Sequence, residues 1–301
     1  MNLPIWVVDA FAEDDCAGNP AAVCLAEAFP EPDLMQAIAC RNRLSETAFA
    51  IRDEKSRDGQ SRDEKSRDGQ SRDGQSWDGQ SGDGQSRDGQ DWRIRWFTPT
   101  AEVDLCGHAT LATAAVIFER TGASADTLHF SSRSGPLAVR RDHQDYVLDF
   151  PSRPPTEATA AMAGAQAEAL GVTPESCWIA EENLFAVLAD EAAVRAVRPD
   201  QDTVAALSRE AGVTGLIVTA PGETVDFVSR YFAPAVGVPE DPVTGSAHCT
   251  LAPYWSARLG RTELLARQIS ERGGVLRCKD RGERVDVGGR ARFYLEGHIT
   301  V

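Results

Sequence analysis

The chain has 301 residues, 42% of them hydrophobic, enough to bury a sizeable core in one or two domains. Its formal charge of −15 argues against nucleic acid and anionic membrane surfaces, which need a basic face. No stretch approaches the roughly 18 uninterrupted apolar residues of a membrane span, and the start MNLPIWVVDAF lacks a basic and then apolar leader, so a cytoplasmic protein is expected.

In chain order, IWVVDAF (5–11) and AAVCLA (21–26) read as strands, 33–43 as a helix, and ETAFAIR (46–52) as a strand. Residues 56–90 then form seven pentads of the type SRDGQ, with Ser first and Asp third in each. Trp77 is their one apolar side chain, so composition predicts a disordered insert, about 53–91, rather than a solenoid. Because WRIRWFTP (92–99) also reads as a strand, the insert would sit in a hairpin; loop closure adds only about 0.6 kcal/mol per doubling of length. Beyond it, helices are predicted at 108–121, 159–170, 202–211 and 246–259. Gly122, Gly171, Gly212 and Gly260 supply C-terminal stop signals. Strands are predicted at 127–132, 146–151, 184–189, 215–220 and 225–233, with short ones in RVDVGGRARFYLEG. Strands and helices do not alternate, which favours α+β over a doubly wound sheet. The seven cysteines are odd in number and never spaced C-x-x-C, as expected of reduced and mostly buried thiols.

Two stretches echo each other: FTPTAEVDLCGHATLATAAVIFER (97–120) and FAPAVGVPEDPVTGSAHCTLAPYWSARLG (232–260). Phe97 matches Phe232, Pro99 matches Pro234, Gly107 matches Gly245 and Leu111 matches Leu251, the second loop being three residues longer. This is the pattern of an internal duplication. Two duplicated halves would face each other across a cleft lined by two glycine-led helix starts, where free N–H groups and macrodipoles favour a carboxylate or phosphate. Thr110, Thr244 and Ser246 could add hydroxyl donors. Cys106-Gly107-His108 reads three ways: a metal site, a nucleophile with its base, or the first turn of a buried helix. By spacing alone Glu46 is a surface carboxylate and Asp241, before Pro242, a turn former. His248 and Cys249, one turn further in, read as packing residues.

GNPAAV (18–23), SETAF (45–49), FTPTAEVDLCGHATLA (97–112), EDPVTGSAHCTLAPYW (240–255) and QISERGGVLRC (268–278) together resemble the PhzF family of phenazine-biosynthesis-like isomerases. The resemblance implies the diaminopimelate epimerase-like fold, two similar domains each a β-barrel round a central helix, with the active site between them. The domains would span 1–122 and 123–289, the final strand at about 290–301 being a candidate addition to the first. It further implies a cofactor-independent, metal-free isomerase, a homodimer, that shifts a proton and a double bond on a small carboxylate metabolite. In the family's named member this is a dihydro-hydroxyanthranilate. Glu46 matches the family's general acid/base, His108 and Asp241 the groups that work with it, and Gly245 and Ser246 the substrate anchor, beside Gly107 and Thr244. Cys106 sits where epimerases of this fold carry a catalytic thiol, but Thr244 stands opposite, so a two-thiol mechanism is excluded and a structural role expected. The alternatives are a one-base amino-acid epimerase or racemase, and a small-molecule binding protein without turnover.

Overall fold

The structure, a computed structural model, describes residues 2–53 and 91–300, so the expected disorder of the pentad repeat lies outside the described residues. The first half runs β1 (Asn2–Ala10), β2 (Asn19–Ala26), α1 (Pro32–Asn42), β3 (Glu46–Arg52), β4 (Asp91–Phe97), β5 (Glu102–Val103), α2 (Gly107–Arg120), β6 (Thr127–Ser132), β7 (Gly135–Asp142) and β8 (Asp145–Pro151). The second runs β9 (Thr156–Glu157), α3 (Ala160–Leu170), β10 (Ser176–Ile179), β11 (Asn183–Val187), α4 (Glu191–Ala196), α5 (Gln201–Ala211), β12 (Gly215–Pro221), β13 (Phe227–Ala233), β14 (Val238–Asp241), α6 (His248–Leu259), β15 (Glu263–Gln268), β16 (Gly274–Asp280) and β17 (Arg284–Gly289). Last comes β18 (Ala291–Thr300).

Strand pairing displays the duplication directly. One half is ordered β18-β1-β2-β3-β4-β6-β7-β8 and the other β9-β10-β11-β12-β13-β15-β16-β17. In both, the second connection beyond the first inner strand is parallel (β2–β3, β11–β12), as is the one that flanks the helix (β4–β6, β13–β15). The last strands, β8 and β17, pair antiparallel and join the halves into one sheet. The boundary expected at 122/123 is therefore corrected. Strands β6 to β8 continue the first sheet, β7 and β8 pack on α2, and the second half starts after Pro151, while β18 pairs with β1. That expectation stopped at the helix end, whereas pairing partners far apart in sequence decide where the sheet continues.

Helix α2 is apolar on nearly every side, buried from Gly107 through Phe118, as an all-round hydrophobic helix must be. It packs on β1, β2, β3, β7, β8 and β18, so the first sheet curls round it. Helix α6 packs on β15, β16 and β17, and its Tyr254 and Trp255 rings meet Phe185 of β11 and Phe227 of β13. Strand parity then sets which side chains face inward. On β3, Ala48 and Ala50 pack in the same core as α2, whereas Phe49 packs outward with Met35 and Ile38 of α1. Glu46 shares the inward parity of Ala48 and Ala50, and Asn19 that of Ala21 and Val23. In the second half Phe185, Ile217 and Tyr231 face the shared core, while Leu184, Leu216 and Phe232 face outward among Leu170, Val194 and Val204 of α3 to α5. Among the described residues no helix is long and apolar enough to cross a membrane.

Candidate active site

The two helix starts meet. A Cβ added to Gly107 would lie 3.9 Å from the Gly245 Cα and 3.3 Å from the Phe150 ring; one added to Gly245 would lie 3.5 Å from the Phe11 ring. In α2 the first intrahelical bond runs from Thr110 N to the Cys106 carbonyl, so the N–H groups of Gly107, His108 and Ala109 precede it. Helix α6 begins at His248, two residues later than expected. Gly245, Ser246 and Ala247 form a tight turn closed by His248 N donating to the Gly245 carbonyl at 3.0 Å. Between the two starts lies a cleft of about 300 Å³. Glu46, Gly107 and His108 line it from the first half. Asp241, Thr244, Gly245 and Ser246 line it from the second. All seven residues singled out in the sequence thus share one cavity, with Cys106 beside them.

Glu46 Oε2 lies 3.1 Å from His108 Nε2, an ion-pair distance, but the ring N–H does not aim at it and neither buried atom has another hydrogen-bond partner. The other ring nitrogen, Nδ1, lies 3.5 Å from Cys106 Sγ. Burial alone would push the His108 imidazole down; the Cys106 sulfur and the Glu46 carboxylate outweigh it and hold it well above its ordinary value. Burial and the Glu46 charge push the Cys106 thiol up, against the lowering influence of His108.

Across the cleft, burial raises the Asp241 carboxyl to about 6 against the lowering influence of His108 and of the Thr244 hydroxyl. Two residues without a role predicted from the sequence, Asn19 and Gln268, fix its position. Asn19 Nδ2 donates to Asp241 Oδ1 at 2.9 Å and to the Val243 carbonyl at 2.9 Å. Gln268 Nε2 donates to the Asp241 carbonyl at 2.8 Å, and its Oε1 accepts from Thr244 N at 2.9 Å. Thr244 Oγ1 in turn donates to Asp241 Oδ2. Asn19 and Gln268 are wholly buried, and inward parity was the one sequence signal that could have found Asn19.

One expectation changes. The Thr110 hydroxyl is no ligand donor: it is buried and donates at 2.6 Å to the Cys106 carbonyl within its own helix. Gly122 follows the Thr121 C-cap of α2 in the left-handed conformation, φ 70°, as a helix stop does. His248 packs as expected, its Nδ1–H donating to the Thr244 carbonyl at 2.9 Å and its ring against Phe227; burial pushes it down to about 4 and keeps it neutral.

The profile of the PhzC-PhzF family, phenazine biosynthesis-like protein, matches residues 8–63 and 83–297, leaving only part of the repeat unmatched within the span. An uncharacterized isomerase of Pseudomonas aeruginosa is 44% identical over 301 residues, covering 100% of both chains. The crystal structure of a phenazine biosynthesis protein of the PhzF family from Enterococcus faecalis is 40% identical, covers 100% of both chains and superposes with a TM-score of 0.83. A hydroxyproline epimerase from Agrobacterium vitis covers 99% of this chain and 92% of its own at 10% identity and a TM-score of 0.58, a likeness of fold alone. The duplicated curled sheets and the cleft between their helix starts define an isomerase on the diaminopimelate epimerase-like fold. Within that class the chain belongs to the PhzC-PhzF, phenazine biosynthesis-like, family.

Proposed function

We propose that the protein moves a proton, and with it a double bond, on a small carboxylate-bearing substrate, with Glu46 as the acid/base. The observation that carries this reading is the one-sidedness of the cleft. Position 46 opens β3, paired with Ala21; its counterpart, opening β12 and paired with Asn183, is Gly215. A Cβ there would come within 2.7 Å of the Tyr231 ring, so that ring fills the space a second base would occupy. Tyr231 is itself tied down, its hydroxyl donating to Asn183 Oδ1 at 3.0 Å. With no carboxylate at the equivalent position of the second half, and with Asp241 engaged by Asn19 and Thr244, the proton leaves and returns through Glu46 in this reading.

In this reading the substrate carboxylate lies between the two helix starts, against the N–H groups near Gly107 and Gly245 and the Ser246 and Thr244 side of the cleft. Glu46 takes a proton from carbon, the electron pair moves along the adjacent double bond, and Glu46 returns the proton to its far end. No electrons are gained or lost, so the step balances without a redox partner. The His108 imidazolium and Asp241 flank the path and stabilise charge that develops on the substrate.

A one-base epimerase is the second reading, favoured by Cys106 Sγ lying in the cleft wall beside His108. The experiment is a mass-spectrometric screen of unsaturated carboxylates in D₂O with Glu46→Gln as the blank. Deuterium incorporation with a shifted double bond supports the proposal; inversion of a stereocentre without a shift replaces it with the epimerase. Binding with no exchange above the blank identifies a binding protein.

A further inference from the structure

Asp241 is held from the other half of the chain. Asn19 opens β2 in the first half, and its Nδ2 donates to Asp241 Oδ1 and to the Val243 carbonyl, each at 2.9 Å. The segment before it is docked on the second half by backbone bonds. Ala17 N and Gly18 N donate to the Arg272 and Gly273 carbonyls at 2.9 Å, and Arg272 Nε donates to the Gly18 carbonyl at 2.8 Å. Gly18 has φ 73°, and a Cβ there would lie 2.5 Å from the Ala10 carbonyl, so glycine is what lets the chain deliver Asn19 at this place. Asn19 is wholly buried and does not line the cleft, whereas Asp241 does. It therefore acts on the substrate space only through Asp241.

The Asn19 amide can sit one way only. Its nitrogen faces two acceptors, so a turned side chain would set oxygen against the Asp241 carboxylate and the Val243 carbonyl. Among the described residues the buried Asn19 Oδ1 has no hydrogen-bond partner, an unmet acceptor that a packing residue would not need to carry. With Thr244 Oγ1 donating to Oδ2, both carboxylate oxygens accept, an arrangement that favours the ionised form. The other groups facing Asp241 are His108 of α2, which favours its ionisation, Glu46 of β3, which opposes it, and Tyr231 of β13, whose hydroxyl donates to Asn183 instead. Arg230 of β13 is taken up by Glu240. We propose that Asn19 is a positioning residue: from the first half it fixes the orientation of the Asp241 carboxylate in the second and sets the pH at which that group ionises. Its bearing on turnover rests on the acid/base reading of the cleft; the bond itself does not.

The test reads Asp241 directly, without substrate. The full chain, labelled with ¹³C at its aspartate carboxyls, is titrated by NMR, and the resonance that Asp241→Asn removes is followed. Its midpoint, about 6 in the native chain, should rise by roughly one pH unit in Asn19→Leu, the scale of one lost hydrogen bond to a charged group. Asn19→Asp keeps the side chain's shape and sets a carboxyl against Asp241 Oδ1. The two must then share a proton, and a coupled titration with one midpoint above about 7 is expected. The acidic limb of kcat/KM should move with the Asp241 midpoint in Asn19→Leu. A midpoint that Asn19→Leu leaves unchanged, or carboxyls that titrate independently in Asn19→Asp, overturns the proposal. Asn19→Asp decides alone if the leucine variant does not fold. A midpoint that rises while the limb stays fixed upholds the role of Asn19 and instead removes Asp241 from the reaction.

Discussion

At the start of α2 the chain reads Cys106-Gly107-His108; the corresponding stretch before α6 reads Thr244-Gly245-Ser246. Both glycines let the backbones approach, and both neighbourhoods are closed by a phenylalanine of the first half, Phe150 at Gly107 and Phe11 at Gly245. Around that shared frame the chemistry has diverged. The first half contributes a carboxylate, an imidazole and a thiol within contact of one another. The second contributes Asp241 and Thr244; Asn19 and Gln268 donate to Asp241, and Thr244 N donates to Gln268. Duplication built the paired glycine-led helix starts, and divergence placed different side chains on the two sides of the cleft.

The largest effect should come from the half that carries the base. Replacing Glu46 with Gln keeps shape and hydrogen bonding but removes the titrating group, and turnover is expected to fall by about 10²- to 10⁴-fold. Ligand binding, followed by calorimetry, should persist. The equivalent position should respond through stability instead. Gly215→Ala drives a Cβ into the Tyr231 ring and to within 2.8 Å of the Phe232 carbonyl, for an expected loss of about 1–3 kcal/mol in denaturant unfolding. An unchanged midpoint would mean that Tyr231 does not fill the second face.

Asp241 separates the halves by pH. Its carboxyl titrates near 6 in the fold, above its ordinary 3.8. The folded state therefore binds that proton more tightly, and the residue's stabilising contribution is lost as pH rises from about 4 to about 6. Since Asn19 and Thr244 both donate to the carboxylate, the ionised form fits the site, and kcat/KM should decline below about pH 6. Asp241→Asn should lose that limb of the profile; a limb that survives belongs to another group. The smallest effect is expected outside both halves. The β3–β4 ladder closes with Asp53 N donating to the Asp91 carbonyl at 2.9 Å, so its ends already meet. Deleting 56–90 should shift the melting temperature by only a few degrees, the loop entropy changing slowly with length. Loss of soluble protein would show that the repeat is structural.

Much of this was legible in the sequence because it is local or periodic. The echo of Phe97 to Leu111 in Phe232 to Leu251 reports the duplication, whereas spacing alone reads Glu46 as a surface carboxylate and its inward side shows only where Ala48 and Ala50 pack on the α2 core. Strands β7, β15 and β16 escaped the periodicity because Arg and Lys side chains interrupt it; in the structure these reach sideways into ion pairs such as Lys279–Glu263 and Arg277–Glu13. The half boundary and the Asn19–Asp241 bond escaped for a different reason. They join residues 222 positions apart, and only tertiary pairing defines them. The Tyr231 ring over Gly215 is likewise invisible until β12 and β13 pair.

The claim that a single carboxylate moves the proton is tested most directly by deuterium exchange into a bound substrate, compared between Glu46→Gln and Cys106→Ala. The structure puts Glu46 in the cleft wall, sets Thr244 at the position equivalent to Cys106, and buries the thiol beside Glu46, which pushes it up. Exchange should therefore disappear in Glu46→Gln with binding intact, and persist in Cys106→Ala. Exchange that persists in Glu46→Gln and disappears in a folded, ligand-binding Cys106→Ala would contradict the account and make the thiol the base.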